Sequence, residues 1–358
     1  MSETKLKIAV HRASDDWPGT YAERWIEALK EHSVDVLAFD FRETDVIERV
    51  RGCDGAMWFW RHTPDDKQSA PKILAAIELG LRIPVFPNLP TAWHFDEKVA
   101  QHYLLEAIGA PKVRSWVFWN YDDAIDFAEK CSYPIVFKLS VGAGAANVLK
   151  LDSFKGAKAT VRKMFRKKGV TPYTFNEHRA RMFTTDFKEL LRVKSRLVMS
   201  IKHAFCKSCE PPEHYFLIQK NYAYFQEFMP DNSYDIRVTV IGNRAFGLTR
   251  SNRPGDFRAS GSGVIDFSPE NIPSEAVRIA HDISLKNAFR SMSYDFLHAP
   301  GGELLISEVS YCAPNWSVHN FPGYWDRDLV WHEGAIWPEY AEVEDFLEEI
   351  LSKRGSSD

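Results

Sequence analysis

Asp295 and Glu308 stand on either side of the turn-forming run Ala299-Pro300-Gly301-Gly302, and apolar residues alternate through both flanks. Such a pattern predicts a β-hairpin. With 299–302 as the loop, residue 298 faces 303 and 295 faces 306. Glu308 then lies diagonal to Asp295 on the same face, with Cβ atoms roughly 7–8 Å apart. Two carboxylates so placed repel each other unless a cation sits between them. The gap suits magnesium, held by oxygens at about 2.0–2.1 Å. A solvated polar face on an edge hairpin is the alternative reading.

Upstream, Lys138 ends the apolar run Tyr133-Pro134-Ile135-Val136-Phe137, and the small-residue run 140–147 follows before strand character resumes at 148–151. Ser140, Gly142 and Gly144 belong to this run. A glycine-rich loop between two strands excludes the Walker and Rossmann geometries, which need a strand and a helix. It keeps their physics, since glycines let backbone N–H groups approach phosphate oxygens and a nearby lysine balances the charge. An ordinary turn is the alternative. Lys98 falls in the first turn of an amphipathic helix predicted over 96–108, where a cation is mildly unfavourable against the helix dipole. An anion docking at the helix start would account for that; a solvated lysine would too.

These groups need elements to hold them. Residues 1–90 alternate strand signals at 6–10, 34–39, 55–60 and 84–86 with helix signals at 21–31, 44–50 and 69–80. The last helix is expected to start with Ser69 as its cap and Pro71 in its first turn. The result is a small parallel α/β domain without a G-x-G-x-x-G dinucleotide fingerprint. Functional residues in such domains lie beyond the carboxyl ends of the strands. Here those loops carry His11, Arg12, Arg61 and His62, which could receive an anionic substrate or be plain exposed polar residues. Asn120 is expected to cap a helix over 121–130.

The chain of 358 residues is long enough for two or three domains, and its 45% hydrophobic and 26% charged content is that of a globular protein. A net charge of −4 argues against a nucleic-acid binder. No membrane-length apolar run or signal-peptide stretch is found, so a cytoplasmic location is expected. Five cysteines fit reduced thiols better than a disulfide framework. Between 151 and 220, sixteen Lys and Arg face six Asp and Glu, densest at 162–168. This stretch reads as a basic insertion that could collect an anionic substrate, with a helix over 184–204. Within it His203, Cys206, Cys209 and His214 could surround zinc, but the spacing matches no standard finger and the four read as incidental.

Farther along come Gln226-Glu227-Phe228-Met229-Pro230, then Asp235-Ile236-Arg237-Val238, then Gly255-Asp256-Phe257-Arg258-Ala259-Ser260-Gly261-Ser262-Gly263. With Lys98, Lys138, the glycine loop and the hairpin, this order resembles the ATP-grasp superfamily, and within it the ribosomal-protein glutamate ligase branch. The resemblance covers about residues 84–312. It implies a mixed α/β and α+β fold: a parallel α/β pre-ATP-grasp domain at 1–90, then a two-lobed ATP-grasp fold. The lobes would be 91–225, carrying the insertion, and 226–340, carrying the metal site, with a helix and tail at 341–358. By the resemblance, Lys98 and Lys138 hold nucleotide phosphates under the 140–147 loop, and Glu227 and Phe228 form the interlobe linker that recognises adenine. Asp235 is the acid near the nucleotide, and Arg258 faces the transferred phosphoryl group. Asp295 and Glu308 match magnesium ligands. Ser310 stands where the family has an asparagine ligand, as does Ser260 elsewhere in the pattern. A hydroxyl is the poorer ligand, which implies a second metal held weakly or through water.

The implied chemistry uses ATP and Mg2+ to pass a phosphoryl group to a substrate carboxylate, and an amine then displaces the acyl phosphate. Arg237, Arg250 and Arg258 would stabilise the oxyanions. No covalent enzyme nucleophile is expected, and Cys312 reads as a packed thiol. The expected partners are therefore a small-molecule carboxylate and an amine, with no nucleic acid and no membrane; a homodimer is left open. The Trp- and Tyr-rich tail at 321–334 is similar to uncharacterised ATP-grasp proteins of bacterial surface-polysaccharide pathways. That likeness implies a sugar-acid substrate, an amino acid being the other candidate, although packing also explains the aromatics. Two alternatives to the ligase stay open: a small-molecule kinase and a non-catalytic ATP-binding regulatory protein.

Overall fold

The structure, a computed structural model, describes residues 5–13, 19–142, 147–171, 218–253, 255–259 and 261–355. They divide into two compact units. One holds residues 1–95, 100–113 and 229–358; the other holds 96–99 and 114–228.

The first unit opens with β1 (Lys7–His11), α1 (Tyr21–Glu31), β2 (Asp35–Phe39), α2 (Val46–Val50), β3 (Gly55–Met57), α3 (Pro64–Ala75) and β4 (Val85–Phe86). The strands form a parallel sheet in the order β2-β1-β3-β4. Helix α1 forms where expected, because the Thr20 hydroxyl accepts from the Glu23 amide and Trp25, Ala28 and Leu29 share one buried face. Helix α3 starts earlier than expected. The Thr63 side chain caps it, Pro64 occupies the first turn, and Pro71 lies inside the helix instead of opening it. A short α4 (Leu89–Ala92) and α5 (Lys98–Ala107) follow.

The unit's larger sheet is antiparallel. It contains β9 (Tyr234–Ile241), β10 (Arg244–Ser251), β11 (Ile265–Asp266), β12 (Ser291–His298), β13 (Leu304–Ser310), β14 (Gly323–Trp325) and β15 (Trp331–Glu333). Its order is β13-β12-β9-β10-β14-β15, with β11 added on β10. Helices α8 (Ser274–Lys286), α9 (Asn315–His319) and α10 (Pro338–Gly355) complete it. The tail aromatics pack among themselves: Phe321 is fully buried and lies against Trp325 and Trp331, while Tyr324 stacks on His332. Helix α10 returns to the first sheet, where Val343, Phe346 and Ile350 join Ile8, Val10 and Trp25 in one core. Gly55 permits this approach, because a Cβ there would lie 2.8 Å from the Phe346 ring and 2.9 Å from Ile350.

The second unit is a four-stranded sheet, β5-β8-β6-β7, built from β5 (Ser115–Phe118), β6 (Ile135–Lys138), β7 (Val148–Leu151) and β8 (Ala223–Glu227). Asn120 caps α6 (Tyr121–Lys130) by accepting from the Asp122 and Asp123 amides. Helix α7 (Phe154–Met164) revises the insertion's expected start. Its Ala157, Val161 and Met164 are fully buried in this unit's core, so the basic side chains at 162, 163 and 166–168 line the outside of a structural element. The remainder of the insertion, 172–217, lies outside the described residues, as do the helix expected over 184–204 and the group His203, Cys206, Cys209 and His214.

Candidate active site

One face of the large sheet gathers the charged residues. In the β12–β13 hairpin Asp295 pairs with Glu308 while Phe296 pairs with Ile306, so Ser307 is the extra residue of a bulge. The Ser307 hydroxyl donates to the Asp295 carbonyl oxygen at 3.1 Å. Two one-residue shifts, the turn that pairs His298 with Leu304 and the bulge at Ser307, correct the predicted register: Glu308 is directly opposite Asp295, not diagonal to it, a placement that brings cross-strand Cβ atoms to about 4.5–5.5 Å. Across the other edge of β12, Asp295 pairs with Arg237, and in β9–β10 Asp235 pairs with Arg250. Directly opposed residues share a face, as do residues two apart on a strand. Glu308, Asp295, Arg237, Asp235 and Arg250 therefore stand together, with Ser310 beside Glu308.

These charges are joined. Arg237 Nε donates to Asp295 Oδ1 at 2.7 Å and its Nη2 to Oδ2 at 2.9 Å. Arg250 grips Asp235 in the same forked way at 2.8 and 2.6 Å, and its Nη2 also reaches Asp295 Oδ2 at 2.8 Å. Burial pushes the Asp295 carboxyl up, but the Arg237 and Arg250 charges outweigh it and hold the group well below the usual carboxylate range. Asp295 and Glu308 are hard oxygen donors of the kind magnesium takes. They fit such an ion provided a guanidinium gives up its place on Asp295. The Ser310 hydroxyl accepts from the Cys312 amide at 3.3 Å, so it also shapes the strand end.

The glycine loop is held at its stem by the start of α5. Lys98 is 4% exposed, its Nζ donating to the Gly142 carbonyl at 2.6 Å and its amide to the Ser140 carbonyl at 2.7 Å. This buried placement replaces the solvated alternative. The Ser140 hydroxyl donates to Glu97 and its amide to the Tyr222 hydroxyl. The Gly142 amide donates to Asp96 Oδ1 at 2.8 Å, so that N–H serves the loop's own anchor. Gly142 has φ +120° and Asp96 has φ +51°, both in the left-handed half of backbone space. Lys138 is buried at the end of β6, opposite Val148 and Tyr224. Gly144 lies outside the described residues. Asp96, Glu97 and Tyr222 were not singled out in the sequence; only their proximity to Lys98 and to β8 hinted at them.

Solved structures superpose on nearly the whole of this chain. A RimK-domain ATP-grasp protein from Sphaerobacter thermophilus superposes with a TM-score of 0.55 at 14% identity, over 96% of this chain and 100% of that one. The D-alanine–D-alanine ligase from Bacillus anthracis, complexed with ATP, gives 0.54 at 12% identity over 99% and 100%. The ATP-grasp ligase PsnB, complexed with minimal precursor, Mg and ADP, gives 0.52 at 12% over 96% and 98%. This chain has the ATP-grasp fold. No protein-family model matches the sequence, and no curated protein matches it.

Other predicted residues of this chain sit in different surroundings. Glu227 ends β8 exposed, its amide donating to the Arg114 carbonyl, and Phe228 lies under the Lys150 ammonium at 4.4 Å. Arg258 forks onto Asp256 of its own loop, with contacts from 2.6 to 3.1 Å; Ser260 lies outside the described residues. Arg12 is exposed and paired with Glu23 at 2.8 Å. The Arg61 amide donates to buried Asp66, and the His62 ring packs against Phe95. His11 is not an exposed loop residue. It stacks on Trp58 at 4.0 Å, and its Nδ1 accepts from the Phe41 amide. Among the described residues no helix is long and apolar enough to cross a membrane.

Proposed function

We propose that the protein is an ATP- and magnesium-dependent ligase that joins a small-molecule carboxylate to an amine. The observation that carries this reading is the row Glu308, Asp295, Arg237 and Arg250 on one face of an ATP-grasp sheet. Solved structures of the same fold include ligases complexed with ATP, or with Mg and ADP, which favours the same cofactors here. Magnesium would supply charge neutralisation on the triphosphate. Glu308 and Asp295 would hold it.

The chain's own groups account for the rest of the chemistry. Arg237 carries a forked donor that matches phosphoryl oxygens as the γ-phosphoryl group moves to the substrate carboxylate, and Arg250, held on Asp235, adds its positive charge beside it. The bond from the γ-phosphorus to the bridging oxygen breaks and leaves ADP; the bond to the carboxylate oxygen forms. The amine then attacks the acyl carbon, and inorganic phosphate leaves. Arg258, fixed by Asp256, is the candidate for steadying the oxyanion of that second step. A sugar acid or an amino acid is the proposed carboxylate.

Phosphorus NMR tests the reading, using the purified protein, MgATP and extract fractions containing carboxylates and amines. ADP and inorganic phosphate that appear only with particular fractions support the ligase. ADP with a new phosphorylated product would assign a kinase, and ATP binding without turnover in any fraction would overturn catalysis.

A further inference from the structure

The arginines on Asp295 do more than stabilise charge. A carboxylate offers about four lone-pair positions. Three contacts already occupy those of Asp295: two from Arg237, at 2.7 and 2.9 Å, and one from Arg250 at 2.8 Å. The residue is only 7% exposed, so water cannot take over a departing partner's role. A divalent cation approaching alone would meet two guanidinium charges at the oxygen it needs. It would also strand a buried guanidinium if it displaced one.

The two arginines are not equivalent. Arg250 is 7% exposed and anchored from behind by a forked pair with Asp235, at 2.8 and 2.6 Å. Arg237 hydrogen-bonds through its side chain to Asp295, and its side chain is 17% exposed against 9% for Arg250. Arg250 is therefore the fixed member and Arg237 the one that can turn. A triphosphate oxygen is a forked acceptor equivalent to the one Arg237 would leave.

We propose that Arg237 guards the metal site: it releases Asp295 to a divalent cation only when a triphosphate accepts its guanidinium, so metal and nucleotide enter together. Arg237 is in this respect a positioning residue, acting on the metal through Asp295. The inference rests on the ATP and magnesium reading above, and its consequence is thermodynamic. Nucleotide must tighten metal binding, and by reciprocity metal must tighten nucleotide binding by the same factor.

The test is manganese binding to the full chain, followed by the electron paramagnetic resonance signal of the free ion, alone and with a non-hydrolysable ATP analogue, after subtracting the manganese that the analogue holds in protein-free solution. In the wild-type protein the analogue is expected to tighten manganese binding by about 30-fold or more, inside the usual range of coupling between sites. Arg237→Gln is expected to shrink that factor to about threefold by raising the affinity for manganese alone, and Arg250→Lys to keep most of it. Arg237→Lys, which keeps a charge on Asp295 but loses the fork, provides the folded control should the glutamine variant misfold; it should fall between. Equal manganese affinity with and without the analogue in the wild type would overturn the guard while leaving the ATP and magnesium reading intact. Failure to bind the analogue at all would overturn that reading itself.

Discussion

Two acids of α10 are buried with too little to neutralise them, and this makes stability depend on pH in a defined direction. Glu339 is fully buried and Glu342 is 2% exposed. Asn315 Nδ2 donates to Glu339 Oε1 at 2.7 Å, the Arg24 Nε lies 3.8 Å away, and Trp25 Nε1 donates to Glu342 at 3.0 Å. The Arg24 guanidinium is shared with the Trp337 ring, 3.5 Å from its centroid, and Trp337 stacks on His319. Burial pushes the Glu339 carboxyl up to about 7, with the Asn315 and Arg24 contacts offsetting only part of that; Glu342 is raised as well, again first by burial and then by Glu339. Because the folded value lies above the unfolded one of 4.5, the folded protein holds the proton more tightly. The stabilisation is complete below pH 4.5 and is lost as pH rises through 7. A rise of that size corresponds to roughly 3 kcal/mol between the two limits. Glu339→Gln keeps the amide acceptor for Asn315 without an ionisable group. It should match the wild type near pH 5 and exceed it by roughly 3 kcal/mol at pH 8.5. Urea unfolding followed by tryptophan fluorescence at both pH values measures this. A glutamine variant that is equally destabilised at both would refute the reasoning, since the carboxyl would then be acting as a charge partner of Arg24.

The remaining predictions concern packing, the metal row and the loop. Gly55→Ala drives a Cβ into Phe346 and should cost about 1–3 kcal/mol, with part regained in the Gly55→Ala/Phe346→Leu double variant; denaturation midpoints decide it. Glu308→Gln should lower turnover by at least about 100-fold, since metal polarisation is worth several kcal/mol. A calorimetric titration with ADP should meanwhile change only a few-fold, and unchanged turnover would remove Glu308 from the metal site. Asp96→Ala strips the Gly142 amide of its acceptor, a loss of about 1–3 kcal/mol. It should speed hydrogen exchange at residue 142, whereas Asp96→Asn, which keeps the acceptor oxygen, should stay close to the wild type.

What could be read in the sequence, and what could not, divides along a physical line. Helix α1, the Asn120 cap, and strands β6 and β7 around the glycine loop follow from periodicity and side-chain capping, which act within a few residues. Helix α3 misled because Ser69 and Pro71 imitate a helix start that Thr63 and Pro64 already supply. His11 looked like a loop residue because nothing nearby in sequence announces Trp58 or Phe41. The loop anchors Asp96 and Tyr222 depend on contacts of the same distant kind. The charged row shows the limit most sharply. Its members are all visible as types, yet the sequence assigns them separately, two as metal ligands, Asp235 as the acid near the nucleotide and two arginines as oxyanion partners. Which acid meets which arginine is set by strand register, and two one-residue shifts, a turn one residue longer than expected and the bulge at Ser307, move Glu308 from diagonal to opposite without changing the composition at all. Bulge and pairing together turn a list of plausible ligands into a coupled network. That coupling, not the identity of any one residue, is what the proposed guarding of Asp295 by Arg237 rests on.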